Sequence, residues 1–343
     1  MRQVTLGGTG ITVPQNAFGA LPIQRVGTEE AVRILRAAYD GGMRFFDTAR
    51  AYTDSEEKLG AAFGDMPDEA VRVSSKTMSR DPERIREELD TTLSNLRRDY
   101  LDLYQLHCVD RCYRPGDGTG VYEALLEAKE SGRVRHIGVT AHKIGVAEEC
   151  VDSGLYETMQ FPFSYLSGER EVALVERCRE AGMGFIAMKG LAGGLIRRSD
   201  AAMAFIRQFD NVLPIWGIQR ASELEEWLSF FDEAPDMTPE LEAFVESERR
   251  ELAGDFCRGC GYCMPCPQGI VINSCARMSL MIRRAPSESW LSEEWQREMA
   301  KIETCVECRQ CASRCPYELD TPALLRRNLE DYRKVLAGEA SVD

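Results

Sequence analysis

Eight times between residues 17 and 230 the chain passes through the same alternation, a short apolar run and then a longer stretch with helical periodicity. The runs are Ala17–Ala20, Phe45–Asp47, Val71–Lys76, Leu101–Leu106, Arg135–Thr140, Thr158–Phe161, Gly184–Met188 and Val212–Trp216. Parallel strands covered on both faces read this way, as unbroken apolar segments. Eight strand–helix units in this length predict an α/β fold, a closed (β/α)8 TIM barrel. An open doubly wound sheet competes, but it calls for a glycine-rich turn after the first strand, and none is present. Gly7-Gly8-Thr9-Gly10 does not supply one, because no apolar strand leads into it and no helix follows. It reads as the turn of an N-terminal hairpin between Val4-Thr5-Leu6 and Ile11-Thr12-Val13.

Helix punctuation supports the alternation. Thr28 reads as a cap followed by Glu29-Glu30, Asp81-Pro82-Glu83 opens another helix, and Ser131-Gly132 closes one. Composition shifts at Asp232–Pro239, so the expected division is a barrel over 1–235 and a second domain over 236–343, with a terminal helix from about Thr321. The chain carries a net charge of −14 across 343 residues, which argues against nucleic-acid or anionic-membrane partners. No apolar run approaches the ~18 residues of a spanning helix, and the start Met1-Arg2-Gln3 does not resemble a signal peptide. A cytoplasmic protein is expected.

In a parallel barrel the C-terminal strand ends share one mouth. The second strand ends at Asp47, with Tyr52 five residues later; the third delivers Lys76 and the fourth His107. Taken singly, each has an ordinary reading: a helix cap, a rim ring, a solvated amine, a satisfied core imidazole. Together they suit carbonyl chemistry. A phenol can protonate a developing alkoxide, a nearby ammonium favours its ionised form, a carboxylate anchors the ammonium, and an imidazole orients the carbonyl oxygen.

Of 13 cysteines, eight lie in two C-terminal runs. These are Cys257-x2-Cys260-x2-Cys263-x2-Cys266-Pro and Cys305-x2-Cys308-x2-Cys311-x3-Cys315-Pro. The second follows the bacterial ferredoxin spacing, in which the fourth cysteine serves a neighbouring cluster; the first is one residue short of it. Zinc sites usually pair two Cys-x2-Cys units and have no use for four thiols in one row. Cys108, Cys112, Cys150, Cys178 and Cys275 read as small apolar side chains.

Through Asp47-Thr48-Ala49-Arg50-Ala51-Tyr52, Lys76 and His107, the chain resembles an aldo-keto reductase across the hairpin and all eight units. Gly261-Tyr262-Cys263-Met264-Pro265-Cys266-Pro267 is similar to the ferredoxin-type tail of one branch of that family. The resemblance implies a catalytic tetrad of Tyr52, Lys76, Asp47 and His107. It implies NAD(P)H, with Gln160 on the nicotinamide carboxamide and Thr140-Ala141-His142 where a Ser-Asn pair is common. Met188 would stand in for a stacking ring. The Lys189–Gly194 loop, Gly193 included, would cover the pyrophosphate. Gly217, Arg220 and Glu223 would meet the adenosine end, where Glu223 and Glu226 suit a ribose hydroxyl and Arg220 a 2′-phosphate, so both nucleotides stay open.

The tail implies two [4Fe–4S] clusters with crossed fourth ligands in a small, mainly helical module; a single cluster on the second run is the fallback. The expected activity is NAD(P)H-linked reduction of a small-molecule carbonyl, or oxidation of the alcohol. The clusters would be structural or would exchange electrons with a ferredoxin or flavin carrier. The alternative is an electron-transfer protein whose barrel binds a flavin or a redox partner without hydride chemistry. Arg111-Cys112-Tyr113-Arg114 hints at a polar or anionic substrate group.

Overall fold

A computed structural model describes residues 1–252, 256–284 and 287–342. Two antiparallel strands, β1 (Gln3–Thr5) and β2 (Thr12–Pro14), form the N-terminal hairpin. Eight parallel strands follow: β3 (Ala17–Gly19), β4 (Phe45–Asp47), β5 (Arg72–Thr77), β6 (Leu101–Leu106), β7 (Val134–Thr140), β8 (Thr158–Pro162), β9 (Gly184–Met188) and β10 (Val212–Gly217). They close in sequence order, with β10 pairing back onto β3. The helices between them are α1 (Thr28–Asp40), α2 (Ser55–Phe63), α3 (Pro82–Leu96), α4 (Val121–Glu130), α5 (Ile144–Ser153), α6 (Glu169–Glu180), α7 (Ser199–Ile206) and α8 (Ala221–Asp232). One expected cap differs. Thr28 is already helical and Gly27 holds the cap position with no side-chain bond, so the acidic pair Glu29-Glu30 is left to favour that terminus.

The hairpin decides which end of the barrel is chemically useful. Val4, Leu6, Ile11 and Val13 bury against Ala17, Phe45, Leu103, Ile186, Leu213 and Ile215, filling the barrel with hydrocarbon from the N-terminal side. Gly7 lies at φ +53°, where a Cβ would sit 2.3 Å from the Gly182 carbonyl oxygen, so only glycine fits that approach. Arg2 Nη2 donates to the carbonyls of Arg207 and Phe209, and Gln15 Nε2 to those of Phe209 and Val212, fastening the hairpin to the β10 approach. Asp47, Ser74, Lys76, Gln105 and Gln160 are buried toward the opposite end.

The chain divides into two compact units, one of Met1–Gly190 with Ser199–Leu241, the other of Leu191–Arg198 with Glu242–Asp343. The second contains most of α9 (Pro239–Glu251), then α10 (Ile272–Cys275), α11 (Met278–Arg284), α12 (Ser287–Trp290), α13 (Glu293–Ala300), α14 (Gln310–Ser313) and the long α15 (Thr321–Leu336). Helix α15 gathers the short ones. Asn328 accepts from the Ser279 amide and donates to the Ala276 carbonyl, Tyr332 donates to the Trp290 carbonyl, and Asp331 pairs with Arg283.

Candidate active site and cysteine cavities

Strand register assembles the mouth. Asp47 lies opposite Ser74, and Lys76, two residues further along β5, points to the same inner face. Lys76 Nζ donates to Asp47 Oδ2 at 2.6 Å and to the Thr48 carbonyl at 2.6 Å, while Ser74 Oγ donates to Asp47 Oδ1 at 3.1 Å. Lys76 is fully buried and Asp47 nearly so. Breaking such a pair from one side strands a charge in low dielectric, so its partners hold each other in place. Burial lifts the Asp47 carboxyl above its ordinary range, against the opposing Lys76 charge and hydrogen bonds from Lys76, Ser74 and Gln160.

Tyr52 sits on the loop after β4. That loop is pinned by the Thr48 amide on the Ser74 carbonyl, the Arg50 amide on the Lys76 carbonyl, and an Arg50–Glu56 ion pair. Buried Glu56 also accepts from Ser75 and Thr92, so one carboxylate ties the loop to β5 and α3. Lys76 Nζ lies 5.2 Å from the Tyr52 ring centroid, and the His107 ring meets Tyr52 edge-on at 5.7 Å. All four tetrad candidates thus gather at one rim. Burial, then the Asp47 charge and the Cys108 thiol, push the Tyr52 phenol well above its ordinary value. The lowering expected from Lys76 does not prevail in this arrangement, and the hydroxyl stays protonated.

His107 is pushed down to about 3 by burial, then by the Lys76 and Arg80 charges. Its imidazole is neutral at any ordinary pH. Its backbone carbonyl accepts from Arg80 Nη2 at 2.7 Å, and its Nδ1 is shielded with no hydrogen-bond partner among the described residues.

The candidate cofactor residues divide into those at the mouth and those elsewhere. Gln160 is at the mouth, but its Oε1 already accepts from Gln105 Nε2 at 2.9 Å. Thr140 Oγ1 accepts from the Cys108 amide at 2.7 Å. His142 is buried, held well below its ordinary value by burial and then by the Lys189 charge, and hence neutral. Met188 is half-buried at the end of β9. Gly217 ends β10. Just beyond it, Glu223 Oε2 accepts the amides of Gln219 (2.9 Å) and Arg220 (3.2 Å), so an internal carboxylate occupies the N-terminus of α8. Arg220 is exposed and approaches the same carboxylate at 3.8 Å. Gly193 lies in the second unit, where its carbonyl accepts from Arg277 Nη1 at 2.9 Å.

Two residues at the mouth escaped the sequence reading. Ser74 and Gln105 link Asp47 to Gln160 in a polar ladder, with Gln105 Nε2 donating to Ser74 Oγ at 2.9 Å. Their signal was the strand period. Ser74 lies two residues before Lys76 and Gln105 two before His107, each pair on one face.

In the second unit the cysteines ring two cavities. One is lined by Cys257, Cys260, Cys263 and Cys315. The other is lined by Cys263, Cys266, Cys305, Cys308 and Cys311. Among the described residues, no three Cys, His, Asp or Glu side chains converge on a point where a single ion would sit. Thiols spaced around a void suit a polynuclear cluster.

Comparison with known proteins agrees with this division. The profile of the Aldo/keto reductase family matches residues 14–243, and that of the 4Fe-4S dicluster domain matches residues 256–320. An uncharacterized oxidoreductase of Bacillus subtilis, YrpG, is 31% identical over 57% of this chain and 68% of its own length. The L-galactose dehydrogenase of Arabidopsis thaliana is 29% identical over 56% of this chain and 66% of its own. A probable aldo-keto reductase of Glycine max is 25% identical over 57% and 60%. Among solved structures, a Klebsiella pneumoniae aldo-keto reductase in complex with NADPH superposes with a TM-score of 0.61 at 23% identity, covering 72% of this chain and 95% of that one. The holo form of a Bacillus halodurans aldo-keto reductase gives 0.62 at 20% identity, covering 72% and 96%. Among the described residues, no helix is long and apolar enough to cross a membrane.

Proposed function

Because this chain belongs to the aldo/keto reductase family and carries a 4Fe-4S dicluster domain C-terminal to its barrel in sequence, we propose that it is an oxidoreductase that interconverts a small-molecule carbonyl and its alcohol with NAD(P)H. The observation that carries this reading is the buried Lys76–Asp47 pair with Tyr52 and His107 at the same rim. A bound nicotinamide supplies the hydride. Tyr52, held protonated by its surroundings, gives its hydroxyl proton to the carbonyl oxygen as charge develops there. Lys76 stabilises the phenolate left behind, and Asp47 with Ser74 and the Thr48 carbonyl fixes the ammonium. Neutral His107 donates a hydrogen bond that orients the carbonyl.

Thr140, Gln160, His142 and Met188 would receive the nicotinamide end, with Gly217, Arg220 and Glu223 toward the adenosine end. Glu223 favours NADH. It fills the amides that a 2′-phosphate would use and adds a negative charge there. Cys257, Cys260, Cys263 and Cys315 would hold one [4Fe–4S] cluster, and Cys305, Cys308, Cys311 and Cys266 a second, each set taking its fourth thiolate from the other run. The clusters supply one-electron transfer to or from a ferredoxin or flavin carrier.

The test is an anaerobic screen of carbonyls with NADH and NADPH on the iron-loaded protein. Nucleotide oxidation that depends on carbonyl and is lost in Tyr52→Phe supports the reading. A yellow, flavin-containing protein without such activity would favour a barrel that serves electron transfer alone.

A further inference from the structure

The two cysteine cavities differ in what surrounds them. Around the first, Arg277 packs its guanidinium against Gly259, which lies between Cys257 and Cys260; a Cβ on Gly259 would fall 2.7 Å from its Cζ. The same guanidinium fills the space a Cβ on Gly193 would need, at 2.7 Å, and donates to the Gly193 carbonyl. Both glycines adopt positive φ, +66° and +70°, so two distant turns are shaped around one cation. A second guanidinium, Arg258, lines this cavity and stacks on the rings of Phe256 (4.7 Å) and Tyr317 (4.3 Å). The Tyr317 hydroxyl is buried with no hydrogen-bond partner among the described residues, and its ring lines the cavity.

The second cavity is walled mainly by Pro265, Pro267, Ile270, Ile272 and Leu325. Its one cation, Arg309, is exposed and faces Asp320 at 3.6 Å. Cys308 is exposed, and Val306 beside it is 62% exposed.

Resting on the proposal that each cavity holds a cluster, the geometry points to an unequal pair: the Cys257/Cys260/Cys263/Cys315 cluster has the higher reduction potential, set by Arg277 and Tyr317, and the Cys308 cluster is the port where electrons enter. Reduction adds a negative charge to a cluster. A half-buried cation and an unspent hydroxyl donor stabilise that charge through a lower dielectric than water at an exposed edge offers. The electron count closes simply. An outside one-electron carrier is oxidised by one electron, the exposed cluster takes it up, and it is reoxidised as the electron passes to the first. Arg277 is a positioning residue in this scheme, pinned by the Gly193 carbonyl of the segment that follows β9 in sequence.

The test is an anaerobic redox titration of the loaded full-length protein followed by electron paramagnetic resonance, with iron and sulfide counted on the same sample. Cys315→Ser, which alters only the first ligand set, identifies which signal is which. The expected wild-type result is two midpoints, with the first-set cluster higher. Arg277→Leu should lower that midpoint alone, making transfer from the second cluster to the first about tenfold less favourable. Arg277→Lys, which keeps the charge, should recover most of it. Tyr317→Phe, which keeps both cations, should lower the same midpoint by less and serves if Arg277→Leu loads poorly. Equal midpoints, movement of the second-set signal, or no movement in a fully loaded Arg277→Leu or Tyr317→Phe protein would overturn the inference. A count of about four iron per chain would overturn it differently, by removing the second cluster.

Discussion

The barrel and the cysteine unit reach order by different means. In the barrel the Lys76 ammonium and the Tyr52 loop are held by protein. Lys76 has the Asp47 carboxylate and the Thr48 carbonyl, the Tyr52 loop has the β5 backbone, and Glu56 accepts from three elements. Geometry of this kind exists before any ligand arrives. In the second unit eight thiols face voids, and α10, α12 and α14 are only four residues each, too short to be stable alone. Metal–sulfur bonding would join the cysteine-bearing loops and α14 around those voids. On this reading the barrel site is preformed by protein, and the cysteine unit is a site its cofactor would complete.

The largest effect should come from removing iron. Stripping it anaerobically with ferricyanide and chelator should abolish amide-exchange protection across residues 256–284 and 287–342, while β4–β8 keep theirs. Simultaneous loss of protection in both units, or survival of the cysteine unit without iron, would break the comparison. Next comes Tyr52→Phe, which removes the proton donor and leaves the packing nearly intact. Carbonyl turnover should fall by about 10²–10⁴-fold, with iron content and cluster spectrum unchanged.

The contrast also explains what could be read from sequence. Strands buried on both faces appear as apolar runs, and Asp47, Lys76 and His107 each stand at the end of one, so their meeting at one rim could be expected without coordinates. Ser74 and Gln105 looked like ordinary strand residues because their inward direction depends on register. The cysteines were legible from spacing, whereas α10 and α12, four residues each, are too short to leave a 3.6-residue period. Nothing in Leu191–Arg198 announced that this segment would group with the cysteine unit. Glu223 illustrates a third kind of gap. Its charge is plain in the sequence, but its hold on two backbone amides is visible only in three dimensions.

Lys76→Met should strand the Asp47 charge and destabilise the barrel by about 3–5 kcal/mol. Adding Asp47→Asn should recover much of that, and the cysteine unit should retain its protection in both variants. Acid should act on the barrel as well. His107 titrates near 3 when folded and near its ordinary 6.5 when unfolded, so between those values the unfolded chain holds about one extra proton. Stability therefore falls as pH drops below 6.5. Glu157, held at about 2 with hydrogen bonds from His136 and Lys129, adds loss of the same sign below its ordinary 4.5. Buried His142, also held well below its ordinary value, adds a loss of the same sign. Denaturant unfolding of the barrel from pH 7 to 5 should show this slope, and His107→Gln should reduce it.

The smallest effect should follow Glu223→Gln, which tests the barrel's claim to be preformed even where it meets nucleotide. The wild-type carboxylate takes the Gln219 and Arg220 amides and draws the Arg220 guanidinium toward itself. A neutral amide can still accept one of those hydrogen bonds, so α8 should keep its start at a cost of about 0.5–1 kcal/mol. With the negative charge gone, Arg220 and the helix terminus become available to a phosphate. The ratio of kcat/KM for NADPH to that for NADH should rise by about fivefold, a helix-terminus charge effect of roughly 1 kcal/mol. An unchanged ratio would place the adenosine end away from α8 and move Arg220 and Glu223 out of the site. Because the substitution lies wholly in the barrel, cluster content and cluster spectra serve as the internal control.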